Sequence, residues 1–270
     1  LAKAMARMPV DDGKDEMIKH CWLARKTAEA KGKELSRAEQ KLFREEVLEA
    51  KRKELAAWYD LNTFEVVERK SCISDGVRPQ KSRWVLTWKI SPDGVWNIKA
   101  RLVVCGYGDG QQTVIDTKSP TAGRLAQRLL ISTASLFGWE VASIDISTAF
   151  LQGSLLSDTP TLDGGVRMAA MEIPRDFWEC SPPGADWSYT DPVLWLLKGA
   201  YGLKDAPALW ARELISFVVD TLHWVGSAFD ETTFYKRSND GDLVGMMTIH
   251  VDDIGVTGLP QVVMDLHQSL

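Results

Sequence analysis

The sequence predicts an α+β fold, because its strand and helix patterns alternate irregularly along 270 residues. Three observations support this: a long charged helical stretch near the N-terminus, a β-hairpin in the first half, and two apolar strands around an Asp-Asp pair near the end. A doubly wound parallel sheet would need a regular alternation of strand and helix. With 45% hydrophobic residues, the chain can bury the core of one large domain or of two smaller ones.

The first element is a helical pattern over residues 14–58, rich in Ala, Glu, Lys and Arg. We expect an interruption near Gly32, because Ser36 followed by Glu39 is a capping-box pattern that restarts a helix. Residues 1–13 have weak signals for ordered structure. We expect residues 1–45 to form a helical, charged N-terminal extension.

The second element is a β-hairpin. Residues 83–90 and 95–105 have strand patterns, and the tetrapeptide at 91–94, Ser-Pro-Asp-Gly, is a strong turn signal between them. The hairpin carries a concentration of positive charge, because five cations lie on or beside its strands: Lys81, Arg83, Lys89, Lys99 and Arg101.

The second half of the chain contains shorter elements. Residues 121–137 predict a helix lined by Leu125, Leu129 and Leu136, and residues 140–146 predict a strand. Residues 153–193 are rich in Gly, Pro, Ser and Asp, which predicts loops with little regular structure. Further on, the pattern predicts a helix over 205–222 and two strands over 245–257, joined at Asp252-Asp253.

Charge and cysteine content narrow the function classes. The chain has a net charge of −5, but the charge is unevenly distributed. Residues 71–130 have a net charge of +5, and residues 131–270 have a net charge of −12. A basic segment beside an acidic half could hold phosphates and metal cations, although solvated charged faces are common.

Four scattered cysteines without a C-x-x-C pair argue against a zinc cluster or disulfide framework. The sequence has no signal peptide or membrane-spanning apolar run, so we expect a soluble intracellular protein, in a cytoplasmic particle or the nucleus, with no membrane partner.

Three carboxylates are the candidate catalytic residues. Asp145 ends an apolar strand, and Asp252 and Asp253 lie between two others. Adjacent carboxylates repel each other, and a divalent cation removes that penalty; Mg²⁺ takes carboxylate oxygens together with substrate phosphates. On the residues alone, an ordinary turn rich in Asp remains an alternative, since Asp suits turns.

Several ordered blocks resemble the reverse transcriptases of copia-type retrotransposons. Asp145 begins a block, Asp-Ile-Ser-Thr-Ala-Phe-Leu-Gln-Gly, that is similar to the family's first catalytic motif. Residues 197–207, Leu-Lys-Gly-Ala-Tyr-Gly-Leu-Lys-Asp-Ala-Pro, with Trp210, resemble its next block. Residues 250–254, His-Val-Asp-Asp-Ile, resemble the aromatic-x-Asp-Asp motif, with His250 in place of the usual Tyr. Residues 99–103, Lys-Ala-Arg-Leu-Val, resemble the fingers motif.

The resemblance implies a two-metal site. Asp145, Asp252 and Asp253 would be the catalytic, metal-binding residues for two Mg²⁺ ions, or Mn²⁺. The ions would activate the primer 3′-hydroxyl and bind the incoming triphosphate.

The resemblance also implies five substrate-binding residues. Arg101, with Lys89 as a second candidate, would bind the triphosphate of a deoxynucleotide. Phe150 would exclude a ribose 2′-hydroxyl. Gly202 would allow close approach of the template–nucleotide pair, and Tyr201 would pack beside it.

The same resemblance covers about residues 45–270 and implies a main domain over residues 46–270, an architecture and partners. We expect the fingers and palm of a right-hand polymerase with an antiparallel palm sheet, and, because the chain ends soon after Asp253, no thumb. The partners would be an RNA or DNA template with its primer, and deoxynucleoside triphosphates; the oligomeric state has no sequence signal. The alternative is a catalytically inactive remnant or a domesticated nucleic-acid-binding module. The replacement of the usual Tyr by His250 and the irregular sequence of residues 153–181 favour this alternative.

Overall fold

The computed structural model describes residues 34–91, 93–183 and 188–270. It confirms the predicted α+β class, with two antiparallel sheets, a separate β-hairpin and packed helices. The predicted helix over 14–33 and the weak order of 1–13 lie outside the described residues. No helix of the described part is long and apolar enough to cross a membrane.

Two helices open the described chain, α1 (Arg37–Leu42) and α2 (Arg44–Asp60). The predicted capping box is confirmed, because the Ser36 hydroxyl accepts from the Glu39 amide and the Glu39 carboxylate accepts from the Ser36 amide. One side of α2 is buried, including Val47, Leu55 and Trp58. Burial of this stripe fixes the helix against the rest of the fold.

A three-stranded antiparallel sheet is built from β1 (Phe64–Glu68) and two later strands, β5 (Ala169–Glu172) and β6 (Pro192–Leu196), with β6 in the centre. The short helices α3 (Arg69–Ser74) and α5 (Phe177–Cys180) follow β1 and β5 in sequence. The prediction of loops throughout 153–193 is therefore wrong for β5, α5 and the start of β6. These elements span only a few residues each, so tertiary burial rather than local pattern forms them.

The hairpin of β2 (Ser82–Ile90) and β3 (Trp96–Val104) is confirmed and pairs in one continuous register. Successive side chains alternate between faces. One face carries buried apolar side chains that pack in part against α2: Leu86, Trp88, Ala100 and Leu102. The other face therefore carries Lys89, Lys99 and Arg101, which places the positive charge on the side turned away from this core.

The predicted helix over 121–137 is observed as α4 (Arg124–Phe137), but its orientation differs from the prediction. The three leucines expected to line its packed side, Leu125, Leu129 and Leu136, are exposed by 80%, 52% and 80%. The buried side instead presents Ala126, Leu130 and Ala134, and the helix contacts the sheet that contains residues 243–258. Small side chains allow the helix to approach the strands closely, which the spacing of leucines alone did not reveal.

The remaining five strands form an antiparallel sheet: β4 (Val141–Asp145), β7 (Val225–Gly226), β8 (Thr233–Arg237), β9 (Leu243–His250) and β10 (Asp253–Gly258). Their spatial order is β4-β10-β9-β8-β7. Helix α6 (Ala206–Ser216), continued by a π-helical turn to Thr221, and helix α7 (Pro260–Ser269) complete its core. The strands predicted over 140–146 and 245–257 and the helix over 205–222 are thus confirmed.

Candidate active site

The candidate site lies where β4 ends and β10 begins. The two strands are antiparallel, and their register places Asp145 directly opposite Asp253. The amide of Ile146, just past Asp145, donates to the carbonyl of Asp252 over 2.9 Å. Pairing of the strands therefore brings Asp145 beside two aspartates that follow it by more than a hundred positions.

The connection between β9 and β10 is a tight turn of Val251 and Asp252. The Asp-Asp pair is therefore divided: Asp252 lies in the turn, whereas Asp253 is the first residue of β10. Val251 has φ of 61°, and Thr148, soon after Asp145, has φ of 54°. Positive φ is unfavourable for β-branched residues, so both segments adjoining the aspartates hold strained backbone.

The three carboxylates are exposed, and none of them forms an ion pair with a cation among the described residues. As placed, no three His, Cys, Asp or Glu side chains within the described ranges converge to hold a metal ion. The donor set still suits Mg²⁺, which prefers carboxylate oxygens.

Arg101, Tyr201 and Phe150 form a continuous group beside the aspartates. The Arg101 guanidinium lies 5.9 Å from the centre of the Tyr201 ring, and the Phe150 and Tyr201 ring centres are 5.5 Å apart. Burial raises the pKa of Tyr201 to about 12, with further contributions from Glu54 and Asp252. Tyr201 is therefore within electrostatic reach of both Arg101 on the hairpin and Asp252 in the aspartate turn.

Lys89 lies away from this group. Its strand partner is Asn97, whereas Arg101 pairs with Val85. The four-residue step from Val85 to Lys89 corresponds to roughly 13 Å along an antiparallel strand. Lys89 therefore lies on the same face of the hairpin as Arg101, but farther along it.

Gly202 has a close neighbour in the fold itself. At φ of 95°, a Cβ on Gly202 would lie 2.0 Å from the Val104 carbonyl oxygen. The Val104 amide donates to the Tyr201 carbonyl over 2.7 Å. A glycine at 202 thus allows the end of β3 to pack against the turn that carries Tyr201.

Two arrangements around α6 were not predicted from the sequence. The Trp210 indole donates to the Val251 carbonyl over 2.8 Å, although the sequence placed Trp210 only within a motif. Arg167, fully buried, pairs with Asp205 at 2.6 Å and with Asp109 at 2.5 Å. No local pattern predicts either contact, because the partners are distant in sequence; an arginine beside an otherwise apolar strand was the available signal for Arg167.

A comparison with protein families matches residues 61–269 to the family described as reverse transcriptase (RNA-dependent DNA polymerase). The match covers well over half of the chain and includes every predicted site residue. The chain belongs to the reverse transcriptase family. Within that family it is similar to retrotransposon proteins, and the resemblance to the copia type is confirmed.

Two relatives of this reverse transcriptase domain illustrate the similarity. The retrovirus-related Pol polyprotein from transposon RE1 of Arabidopsis thaliana is 33% identical over 181 residues, 65% of this chain and 11% of the relative. The corresponding protein from transposon TNT 1-94 of Nicotiana tabacum is 27% identical over 217 residues, 79% of this chain and 14% of the relative. The chain therefore spans about a tenth of the length of these polyproteins.

Proposed function

We propose that this chain is an RNA-directed DNA polymerase domain that adds deoxynucleotides to a primer 3′-hydroxyl. The observation that carries the proposal is the register of β4 and β10, which sets Asp145 opposite Asp253 with Asp252 alongside. These three carboxylates would hold two Mg²⁺ ions, with Mn²⁺ as a substitute. Such ions lower the pKa of the attacking hydroxyl and neutralise charge on the leaving pyrophosphate.

The basic and aromatic residues beside the aspartates have roles in substrate binding. Arg101 projects from the hairpin face opposite its packed core and, as a planar guanidinium, suits bidentate contact with a triphosphate. Tyr201 orients Arg101 through ring and hydroxyl contacts. Lys89, farther along the same face, would contact phosphate at a greater distance from the aspartates.

Phe150 and Gly202 would determine which nucleotide fits. Phe150 is half-buried and rests on Tyr201, so its ring is held in place. A fixed ring beside the sugar would clash with a ribose 2′-hydroxyl and favour deoxynucleotides. Gly202 would also let the backbone near Tyr201 approach the template–nucleotide pair, in addition to its packing against Val104.

In this proposal the hairpin belongs to the fingers and the five-stranded sheet is the palm of a right-hand polymerase, within a domain over residues 46–270 that follows the charged extension 1–45. Its partners would be an RNA or DNA template annealed to a primer, and deoxynucleoside triphosphates. The positive face of the hairpin supports phosphate binding. The alternative of an inactive remnant or domesticated module is not favoured, since the relatives are Pol polyproteins.

Primer extension on an RNA template tests this function. We expect incorporation of deoxynucleotides with Mg²⁺ or Mn²⁺ by the unmodified chain, and loss of at least about a hundredfold in Asp252→Asn, because the lost charge weakens metal binding. Asp240→Asn is the matched control, since Asp240 is exposed in the loop after β8. Absence of incorporation by the unmodified chain with either ion would refute the proposed activity.

A further inference from the structure

The aspartate turn is held by hydrogen bonds to both of its carbonyl groups. The Ile146 amide donates to the Asp252 carbonyl over 2.9 Å, and the Trp210 indole donates to the Val251 carbonyl over 2.8 Å. The first bond comes from the neighbouring strand. The second comes from a helix, and thus ties the turn to a different layer of the fold.

The turn needs such support because of its backbone conformation. Val251 has φ of 61°, in the left-handed region. This region is unfavourable by roughly 1–2 kcal/mol for residues with a Cβ, and more so for β-branched ones. Strained backbone persists where the surroundings over-determine it. A hydrogen bond to the carbonyl of the strained residue itself directly stabilises that backbone conformation.

Helix α6 is well suited to provide that bond. Trp210 is 5% exposed and packs in the core of the five-stranded sheet. At the start of the helix, Asp205 is fixed by the buried Arg167, and the Pro207 carbonyl accepts from the Ser119 hydroxyl. The indole therefore projects from a helix that is anchored at its N-terminal end.

We infer that Trp210 is a positioning residue that holds Val251 in its left-handed conformation and thereby sets the direction of Asp252. The residue contacts no reacting atom. Its catalytic meaning rests on the proposed function, whereas its effect on the turn does not. A structural measurement therefore tests the effect of Trp210 on the turn, and a kinetic measurement tests its effect on catalysis.

The test compares Trp210→Phe with Trp224→Phe. Both tryptophans are buried in the same core, and Trp224 lies 3% exposed beside Lys236 and Gly245, away from the turn. Each substitution removes an indole and keeps an aromatic ring. The matched pair therefore separates loss of the Val251 bond from loss of core volume.

The structural readout is amide hydrogen exchange at Ile146, which reports its bond to Asp252. The reference is the Leu197 amide, bonded to the Thr63 carbonyl beside the other sheet. We expect the exchange rate of Ile146 relative to Leu197 to rise about fivefold or more in the Trp210 variant, as for a lost neutral hydrogen bond, and to stay constant in the Trp224 variant. Equal ratios in the two variants would overturn the inference.

The unmodified protein gives a second structural readout, which does not depend on how a variant folds. The indole N–H proton of Trp210, bonded to the Val251 carbonyl, should exchange more slowly than that of Trp224, which has no acceptor among the described residues. If the Trp210 proton exchanges as fast as the Trp224 proton, the bond to Val251 does not hold the turn.

The kinetic readout is primer extension as a function of Mn²⁺ concentration. We expect Trp210→Phe to lower kcat and to raise the Mn²⁺ concentration for half-maximal rate several-fold, with KM for template–primer unchanged. A purely structural loss would reduce the active fraction and leave that concentration unchanged. If the unmodified chain incorporates nothing, the proposed function fails, and the exchange measurements still decide the role of Trp210.

Discussion

At the residue scale, Gly202 is required by two independent features. Its φ of 95° disfavours any residue with a Cβ, and that Cβ would lie 2.0 Å from the Val104 carbonyl oxygen. Because the obstacle is backbone, side-chain rotation cannot relieve it. The glycine therefore determines how the hairpin joins the segment that carries Tyr201.

We predict that Gly202→Ala lowers the free energy of unfolding by about 3–5 kcal/mol, the sum of backbone strain and overpacking. Gly164→Ala is the matched control. Gly164 has φ of 85° with no atom within 4 Å of the added Cβ, so only strain of about 1 kcal/mol is expected. Denaturant unfolding measures both, and equal losses would show that the contact with Val104 is unimportant.

The buried carboxyl group of Glu54 supports the hairpin. Its carboxylate accepts from the Leu102 amide at 3.1 Å and from the Trp58 indole at 3.2 Å. Burial nevertheless raises the pKa of Glu54 above its ordinary value. The folded state thus binds a proton at this site more tightly than the unfolded state, and the associated stability is present at low pH and lost as pH rises through the folded pKa.

Glu54→Gln should remove this dependence while keeping an acceptor for Leu102. We predict that the unfolding free energy of the unmodified protein, minus that of the variant, falls as pH rises from about 4 to about 8. Denaturant unfolding across this range is the measurement, with Glu45→Gln as the exposed control on the same helix. A difference that rises with pH would contradict the raised pKa of Glu54.

At the element scale, Arg167 joins segments that local sequence does not connect. Its guanidinium bonds to Asp109, Gln111 and Asp205, and to the Met168 carbonyl, so all of its polar groups have partners. The network fixes the start of α6 relative to the segment after β3 and the segment before β5. Loss of the arginine would leave two buried carboxylates without a cation.

We predict that Arg167→Met lowers the free energy of unfolding by about 3–5 kcal/mol. Arg44→Met is the control, because Arg44 pairs with Glu179 at 2.9 Å while its side chain is 62% exposed, and such pairs contribute no more than about 1 kcal/mol. Thermal or denaturant unfolding gives the comparison. Equal losses in the two variants would mean that the buried network adds nothing specific.

The elements differ in how far the sequence could predict them. The hairpin and the strands around Asp252 were predictable, because alternation and turn residues are local signals. Strands β5 and β6 were not, because they are short and lie within or at the end of a stretch rich in Gly, Pro, Ser and Asp, which favours loops. The predicted packed face of α4 was wrong, since leucine spacing cannot report which face meets the sheet. The bond from Trp210 to Val251 spans 41 positions and had no sequence signal.

At the scale of the whole molecule, the site is assembled from parts with opposite charge. The hairpin carries cations on one face, the strand ends of the five-stranded sheet carry the three candidate carboxylates, and Tyr201 lies 5.9 Å from the Arg101 guanidinium. This arrangement agrees with the net charge of +5 over residues 71–130 and of −12 over residues 131–270. A polymerase needs both, because substrate phosphates and metal ions must meet at one point.

In the proposed function, Asp145, Asp252 and Asp253 form one metal site. Mn²⁺ titration with primer–template and a deoxynucleotide present, followed by electron paramagnetic resonance, measures how many ions bind there. We predict about two bound ions for the unmodified chain and for Asp240→Asn, and loss of binding in Asp145→Asn and Asp252→Asn. Unchanged Mn²⁺ binding in these two aspartate variants would contradict the claim.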